Sequence, residues 1–281
     1  MIIMANITAA EVNKLRQITG AGMMDCKTAL IESDGDATKA IEILRKKGQK
    51  IAAKRADREA TEGIILAKTN DTHDFGALII VNSETDFVAK SDDFINYVKA
   101  VLDLAVAKKP ASMDDLNALN LNGRTVEENL TDLVGKIGEK LELSGYYTVR
   151  AELVSGYNHL GNKLATLVGL NKKGIPGIAD AAHDVAMQIA AMSPIAIDRD
   201  DIDATTIEKE IEIGMEQARR EGKPENMLEK IAIGKLNKFY KENTLLNQEF
   251  IKDNTKTIRQ YLQGFDKDLT VAAFCRQKLG V

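Results

Sequence analysis

A chain of 281 residues and 30.8 kDa is long for one domain and short for three large ones, so two medium domains or several small ones are expected. Its 38 basic and 42 acidic side chains leave a net charge of −4, which argues against a wholesale nucleic-acid binder. Aromatic residues at 5%, with no Trp, argue against a stacking platform for bases, and 4 Pro with 20 Gly exclude a collagenous or Pro-rich class.

The charge is uneven along the chain. Residues 1–60 hold 11 basic and 8 acidic side chains, a net of +3; residues 61–281 hold 27 and 34, a net of −7. The basic excess peaks between Arg45 and Arg58. The two cysteines, Cys26 and Cys275, lie far apart and suggest no redox or metal motif. Met1–Asn6 has neither the charged start nor the apolar run of a secretory signal. No apolar stretch approaches the roughly 18 residues of a membrane span. A soluble, cytoplasmic chain is expected.

The first fifty residues read as three short helices. Thr8 and Glu11 form a capping box for the first, Val12, Leu15 and Ile18 are its apolar stripe, and Gly20-Ala21-Gly22 stops it. Met23, Met24, Cys26, Ala29, Leu30 and Ile31 mark the second helix. Ala37, Ala40, Ile41 and Leu44 mark the third, with Gly48 as its end. Runs from Glu62 to Lys68 and from Gly76 to Val81 then read as strands around a polar hairpin loop. Ser91 is placed to cap a helix with the stripe Phe94, Val98, Val101 and Ala105. Thr125 and Glu128 form another capping box.

A second pass follows: a strand over 146–154, a turn over 155–162, a strand over 164–170, and a helix from about Pro176. Strand, turn, strand, helix, twice, indicates an α+β chain with two related subdomains. Between 205 and 241, two charge-rich helical runs flank Gly222-Lys223-Pro224, the pattern of an antiparallel hairpin. A short helix near 256–262 and a strand over 269–275 close the chain.

Catalytic signatures are not found. His73, His159 and His183 have no partners at metal spacing, and there is no P-loop, dinucleotide fingerprint or nucleophile elbow. Two segments remain unusual. In Thr19–Lys27, two adjacent methionines cannot both face one small core; the plainer reading buries one, the other makes an exposed patch. In Asn82–Lys90, a loop between strand and helix, Phe87 is either a core plug or an exposed apolar anchor.

At these two segments the sequence resembles the bacterial elongation factor Ts family, the guanine-nucleotide exchange factors of elongation factor Tu. The likeness rests on Leu15-Arg16, on Thr19-Gly20-Ala21-Gly22-Met23-Met24-Asp25-Cys26-Lys27 and on Thr85-Asp86-Phe87-Val88-Ala89-Lys90. Gly35-Asp36, Ala40-Ile41 and Gly222-Lys223-Pro224 also fit. The resemblance implies a ubiquitin-associated-like three-helix domain with its linker over 1–58. It further implies core subdomains with antiparallel sheets over 59–145 and over 146–204 with 242–281, and an inserted antiparallel coiled-coil hairpin over 205–241.

It implies, too, that the protein is no enzyme and takes no cofactor or metal of its own. Its partner would be elongation factor Tu, GDP-bound or nucleotide-free. By residue match, Asp86 and Phe87, within Thr85–Val88, enter the partner's GTPase domain and displace its Mg ion. Arg16, Met23, Met24 and Lys27 grip the same domain, and His159 touches a further one. The resemblance thereby turns Met23, Met24 and Phe87 from packing into contacts. It begins near Met4, and the chain ends without the extra C-terminal helix of long bacterial members. The hairpin is also a candidate dimerisation element, and no nucleic acid or membrane is implied as a direct partner. Two rival readings stand beside it: an RNA- or ribosome-binding module using Arg45–Arg58, and an adaptor for a ubiquitin-like partner.

Overall fold

The computed structural model describes residues 7–280; the Met1 and Met4 starts lie outside them. The chain divides into two compact units. The first runs up to Leu66 and takes in Ile79–Tyr146; the second takes in Ala67–Leu78 and Tyr147–Lys278. The architecture is α+β, with helices beside antiparallel sheets.

The first unit begins with α1 (Ala9–Thr19), α2 (Met23–Glu32) and α3 (Ala37–Arg55). The capping box expected at α1 is formed: Glu11 accepts from the Thr8 N–H at 2.8 Å, and Thr8 Oγ1 accepts from the Glu11 N–H at 3.3 Å. Gly20 ends α1 at φ 66°, a left-handed conformation that costs glycine little. Asp36 caps α3 by accepting from the Thr38 and Lys39 N–H groups. The core of this bundle is small: Val12, Leu15, Cys26, Ala29, Leu30 and Ala40.

Gly48 does not end α3, which runs on to Arg55. It instead faces Gly135 of α7 (Val126–Ile137), where a Cβ added at Gly135 would lie 2.7 Å from the Gly48 Cα. The glycine marks a close helix crossing rather than a stop. Ile18, expected in the core stripe, is 61% exposed.

Chain order continues with β1 (Glu62–Thr69), β2 (Phe75–Ser83), the one-turn helix α4 (Asp86–Ala89) and α5 (Asp92–Lys108). After α6 (Met113–Ala118), β3 (Asn120–Leu121) and β4 (Arg124–Thr125), α7 opens on the expected Thr125–Glu128 capping box. With β5 (Leu141–Arg150), β1 and β2 make a sheet in the order β1-β2-β5. Ser91 sits at the N-cap of α5, but its hydroxyl makes no cap; it donates to the Val88 carbonyl at 2.8 Å.

In the second unit, β6 (Leu153–Asn158), β7 (Leu164–Leu170) and β10 (Val271–Lys278) form an antiparallel sheet in the order β10-β7-β6. The first half of the turn expected over 155–162 is strand. Its polar residues read as a turn, yet Ser155–Asn158 pair with Ala165–Val168, and Gly156 lies beneath the Leu167 side chain. β7 is buried along its whole length, as befits the central strand. Behind it, α8 (Ile178–Met192) contributes Ile178, Ala182, Val185, Ala186 and Ile189 to a core shared with Val168, Leu170 and Val271.

The helices α9 (Ala204–Arg220) and α10 (Glu225–Asn243) pair as a hairpin. Gly214 lies against Ala232 in their seam, and Ala218 and Leu228 are fully buried. Strands β8 (Glu249–Phe250) and β9 (Asp253–Thr257) and helix α11 (Ile258–Gln263) lead to β10. Cys26 and Cys275 are free thiols. Among the described residues no helix is long and apolar enough to cross a membrane.

Candidate functional site

Phe87 is 80% exposed, which excludes the core-plug reading. Nor is it on an open loop: it occupies the single turn of α4. A helix this short is far below the roughly 12 residues at which isolated helices become marginal, so its order must come from tethers. Thr85 Oγ1 accepts from the Val88 N–H at 3.4 Å as the cap, and Ser83 Oγ donates to the Thr85 carbonyl at 2.9 Å. Val88 is half-buried and Ala89 buried, which fixes the inner side of the turn. Asp86 pairs with Lys90 at 2.6 Å, on the exposed side.

Two carboxylates hold the base of this turn reciprocally. Glu139 accepts from the Thr85 N–H at 3.1 Å and from Thr85 Oγ1 at 3.0 Å. Glu84 accepts from the Lys140 N–H at 2.6 Å and takes Arg55 Nη1 at 2.9 and 3.0 Å. The Lys140 N–H first, and then the Arg55 guanidinium, hold the Glu84 carboxyl below the usual carboxylate range against some desolvation. The residue types that do this (Arg55, Glu84, Glu139) carried no signal in the sequence; they are far apart in the chain and ordinary in type.

The second segment is the corner between α1 and α2. Thr19 Oγ1 donates to the Leu15 carbonyl at 2.8 Å and accepts from the Ala21 N–H at 3.3 Å, which fixes the corner from inside. Outside, Met23 and Met24 are 52% and 70% exposed, so neither is core. Arg16 and Lys27 are exposed as well. Ile18, which the apolar stripe of α1 had placed inside, and Ile31 add exposed apolar surface to the same two helices.

His159 belongs to the second unit, at the turn from β6 to β7. Its N–H donates to the Leu164 carbonyl at 2.9 Å, and its Nδ1 shares a 2.9 Å hydrogen bond with the Tyr157 hydroxyl. Beside it, Leu160 is 94% exposed. The sequence hint was a leucine between histidine and glycine in a polar turn. Among the described residues no three His, Cys, Asp or Glu side chains stand together as a metal group. In the basic run, Lys47 is paired with Asp25 at 2.5 Å and Arg55 with Glu84.

An α+β fold that presents a fixed aromatic and a pair of methionines to solvent has the surface of a protein that docks onto another protein. A sequence model described as Elongation factor TS matches residues 84–281. The chain is 56% identical over 277 residues to elongation factor Ts of Cytophaga hutchinsonii, covering 98% of this chain and 100% of that one. It is 56% identical over 274 residues to elongation factor Ts of Amoebophilus asiaticus, covering 98% and 99%. Elongation factor Ts of Christiangramia forsetii is 50% identical over 277 residues, covering 99% and 100%. The chain belongs to the elongation factor Ts family, and its role is that of an elongation factor in protein biosynthesis.

Proposed function

We propose that this protein is a guanine-nucleotide exchange factor that binds elongation factor Tu carrying GDP and releases the nucleotide. The observation that carries the reading is Phe87: a large aromatic 80% exposed on a tethered turn. Exposure of this kind is unfavourable for a free side chain and useful for one that fills a partner's crevice. Asp86 and Phe87 act as the wedge, framed by Thr85 and Val88. Arg16, Met23, Met24 and Lys27 form a second grip, and His159 a contact with a further partner domain. The three-helix domain over 1–58, the subdomains over 59–145 and over 146–204 with 242–281, and the coiled-coil hairpin over 205–241 are the modules of this reading.

Exchange of this kind requires no nucleophile, acid or base. A GTPase holds GDP through a phosphate-cradling loop and Mg²⁺, and that ion demands near-ideal octahedral geometry. A side chain driven between the helices behind the site misplaces the ion's ligands, and ion and phosphates lose contacts together. Thermodynamically, the factor binds the distorted, nucleotide-free state better than the GDP state, and GDP must weaken factor binding by the same ratio. A factor that bound both states equally would exchange nothing.

Stopped-flow release of a fluorescent GDP from elongation factor Tu tests the reading. Release accelerated by this chain in a saturable way is expected; release at the unassisted rate overturns it.

A further inference from the structure

The reading of Phe87 as a wedge leaves open what keeps α4 in place. Four residues of helix have no stability of their own, and a wedge that had to be ordered on binding would lose part of its binding free energy to that ordering. The tethers come from three segments. Glu139 and Lys140, just after α7, exchange hydrogen bonds with Thr85 and Glu84 on the strand-to-helix connection. Ser83 and Ser91 close the turn from its two ends through the Thr85 and Val88 carbonyls. The third segment is the last residue of α3, Arg55, whose guanidinium nitrogen Nη1 meets both oxygens of Glu84 at 3.0 and 2.9 Å.

Arg55 and Glu84 are both largely shielded, with side chains 35% and 16% exposed. A charge-assisted contact at such a place is more directional and less screened than a surface ion pair. Glu84 lies three residues before Phe87, and α3 belongs to the same bundle as Met23 and Met24. The pair therefore joins the helix bundle that carries the methionines to the mount of the aromatic.

We propose that Arg55 and Glu84 are positioning residues for Phe87, the ion pair between them holding α4 in its docking pose and coupling it to the three-helix bundle. This rests on the exchange reading given above. Arg55 itself touches neither nucleotide nor the wedge; it acts through Glu84.

The test compares Arg55→Met, Phe87→Ala and the double variant in the fluorescent-GDP release assay, with hydrogen exchange of the free protein as a second readout. Arg55→Met is expected to lower the maximal release rate about tenfold, the scale of losing one charge-assisted hydrogen bond. The double variant should be no slower than Phe87→Ala alone, because a mount without its aromatic has nothing to position. The amides of Ala89, Lys90 and Ser91, which donate to carbonyls 85–88, and that of Val88, which donates to Thr85 Oγ1, should exchange faster in Arg55→Met while those of α5 stay protected. Arg55→Lys, which keeps the charge and one donor, should fold and fall between wild type and Arg55→Met.

Unchanged amides, wild-type release in both Arg55 variants, or losses that add to those of Phe87→Ala overturn the positioning role alone. Wild-type release from Phe87→Ala overturns the wedge role of Phe87 and the positioning role with it, whereas release at the unassisted rate with the wild-type chain overturns the exchange reading itself.

Discussion

At the scale of single residues, exposure separates the side chains that hold the fold from those free to act on a partner. Phe87 contributes little to its own core, so Phe87→Ala should change stability by no more than about 0.5 kcal/mol, read as the urea midpoint. The same substitution should slow stimulated GDP release by at least about thirtyfold, the scale of truncating a hot-spot aromatic. Glu84 makes a prediction of opposite kind. Its carboxyl is held below its ordinary range in the fold, so the stability it contributes is complete above the unfolded value of about 4.3 and is lost as pH falls through the lower, folded value. Urea unfolding of wild type and Glu84→Gln should show a gap that is steady from pH 7 to about 5 and closes in more acid solution. A gap independent of pH would mean that the charge of Glu84 contributes nothing. Neither residue's condition is visible in the local sequence: Phe87 follows Asp86 in a stretch that suits a buried plug equally well, and Glu84 finds Arg55 and Lys140 only after folding.

At the scale of elements, the capping boxes were legible because they are local. Thr8 with Glu11 and Thr125 with Glu128 satisfy helix N-termini within four residues, and both helices begin where those pairs stand. Glycine was not legible in the same way. Gly48 and Gly135 let α3 and α7 approach at backbone distance, whereas Gly234 of α10 has open space where a Cβ would go. Gly135→Ala should therefore destabilise by about 1–3 kcal/mol, because a backbone neighbour at 2.7 Å cannot yield cheaply and the helix-propensity gain is smaller. Gly234→Ala should stabilise by about 0.5–1 kcal/mol, since only propensity is at stake. Chemical denaturation of the two variants checks both signs, and a stabilised Gly135→Ala would refute the close crossing. Strand β6 gives the same lesson. Ser155–Asn158 are turn-like in type, but pairing with the buried β7 outweighs their propensity.

At the scale of the whole molecule, the chain presents its exposed apolar anchors on short, hydrogen-bonded supports. Met23→Ala together with Met24→Ala should weaken binding to elongation factor Tu by about tenfold by calorimetry and leave the melting temperature unchanged, since both side chains are in solvent. Unchanged affinity would remove that corner from the interface. The basic excess of the first sixty residues is partly paired within the fold: the +3 on residues 1–60 includes Lys47 and Arg55, whose charges meet Asp25 and Glu84. By itself, the sequence determined the capped helix starts, the hairpin turn at Gly222-Lys223-Pro224 and the unusual character of two segments, because these depend on neighbours a few residues away, whereas the strand expected over 146–154 is the end of β5 and the start of β6 in two different sheets. Which way Met23, Met24 and Phe87 face, how far α3 extends, and what tethers α4 were decided only by the tertiary structure. Those properties depend on groups tens of residues distant, 29 between Arg55 and Glu84 and 54 between Thr85 and Glu139, whose approach is governed by packing rather than by local preference.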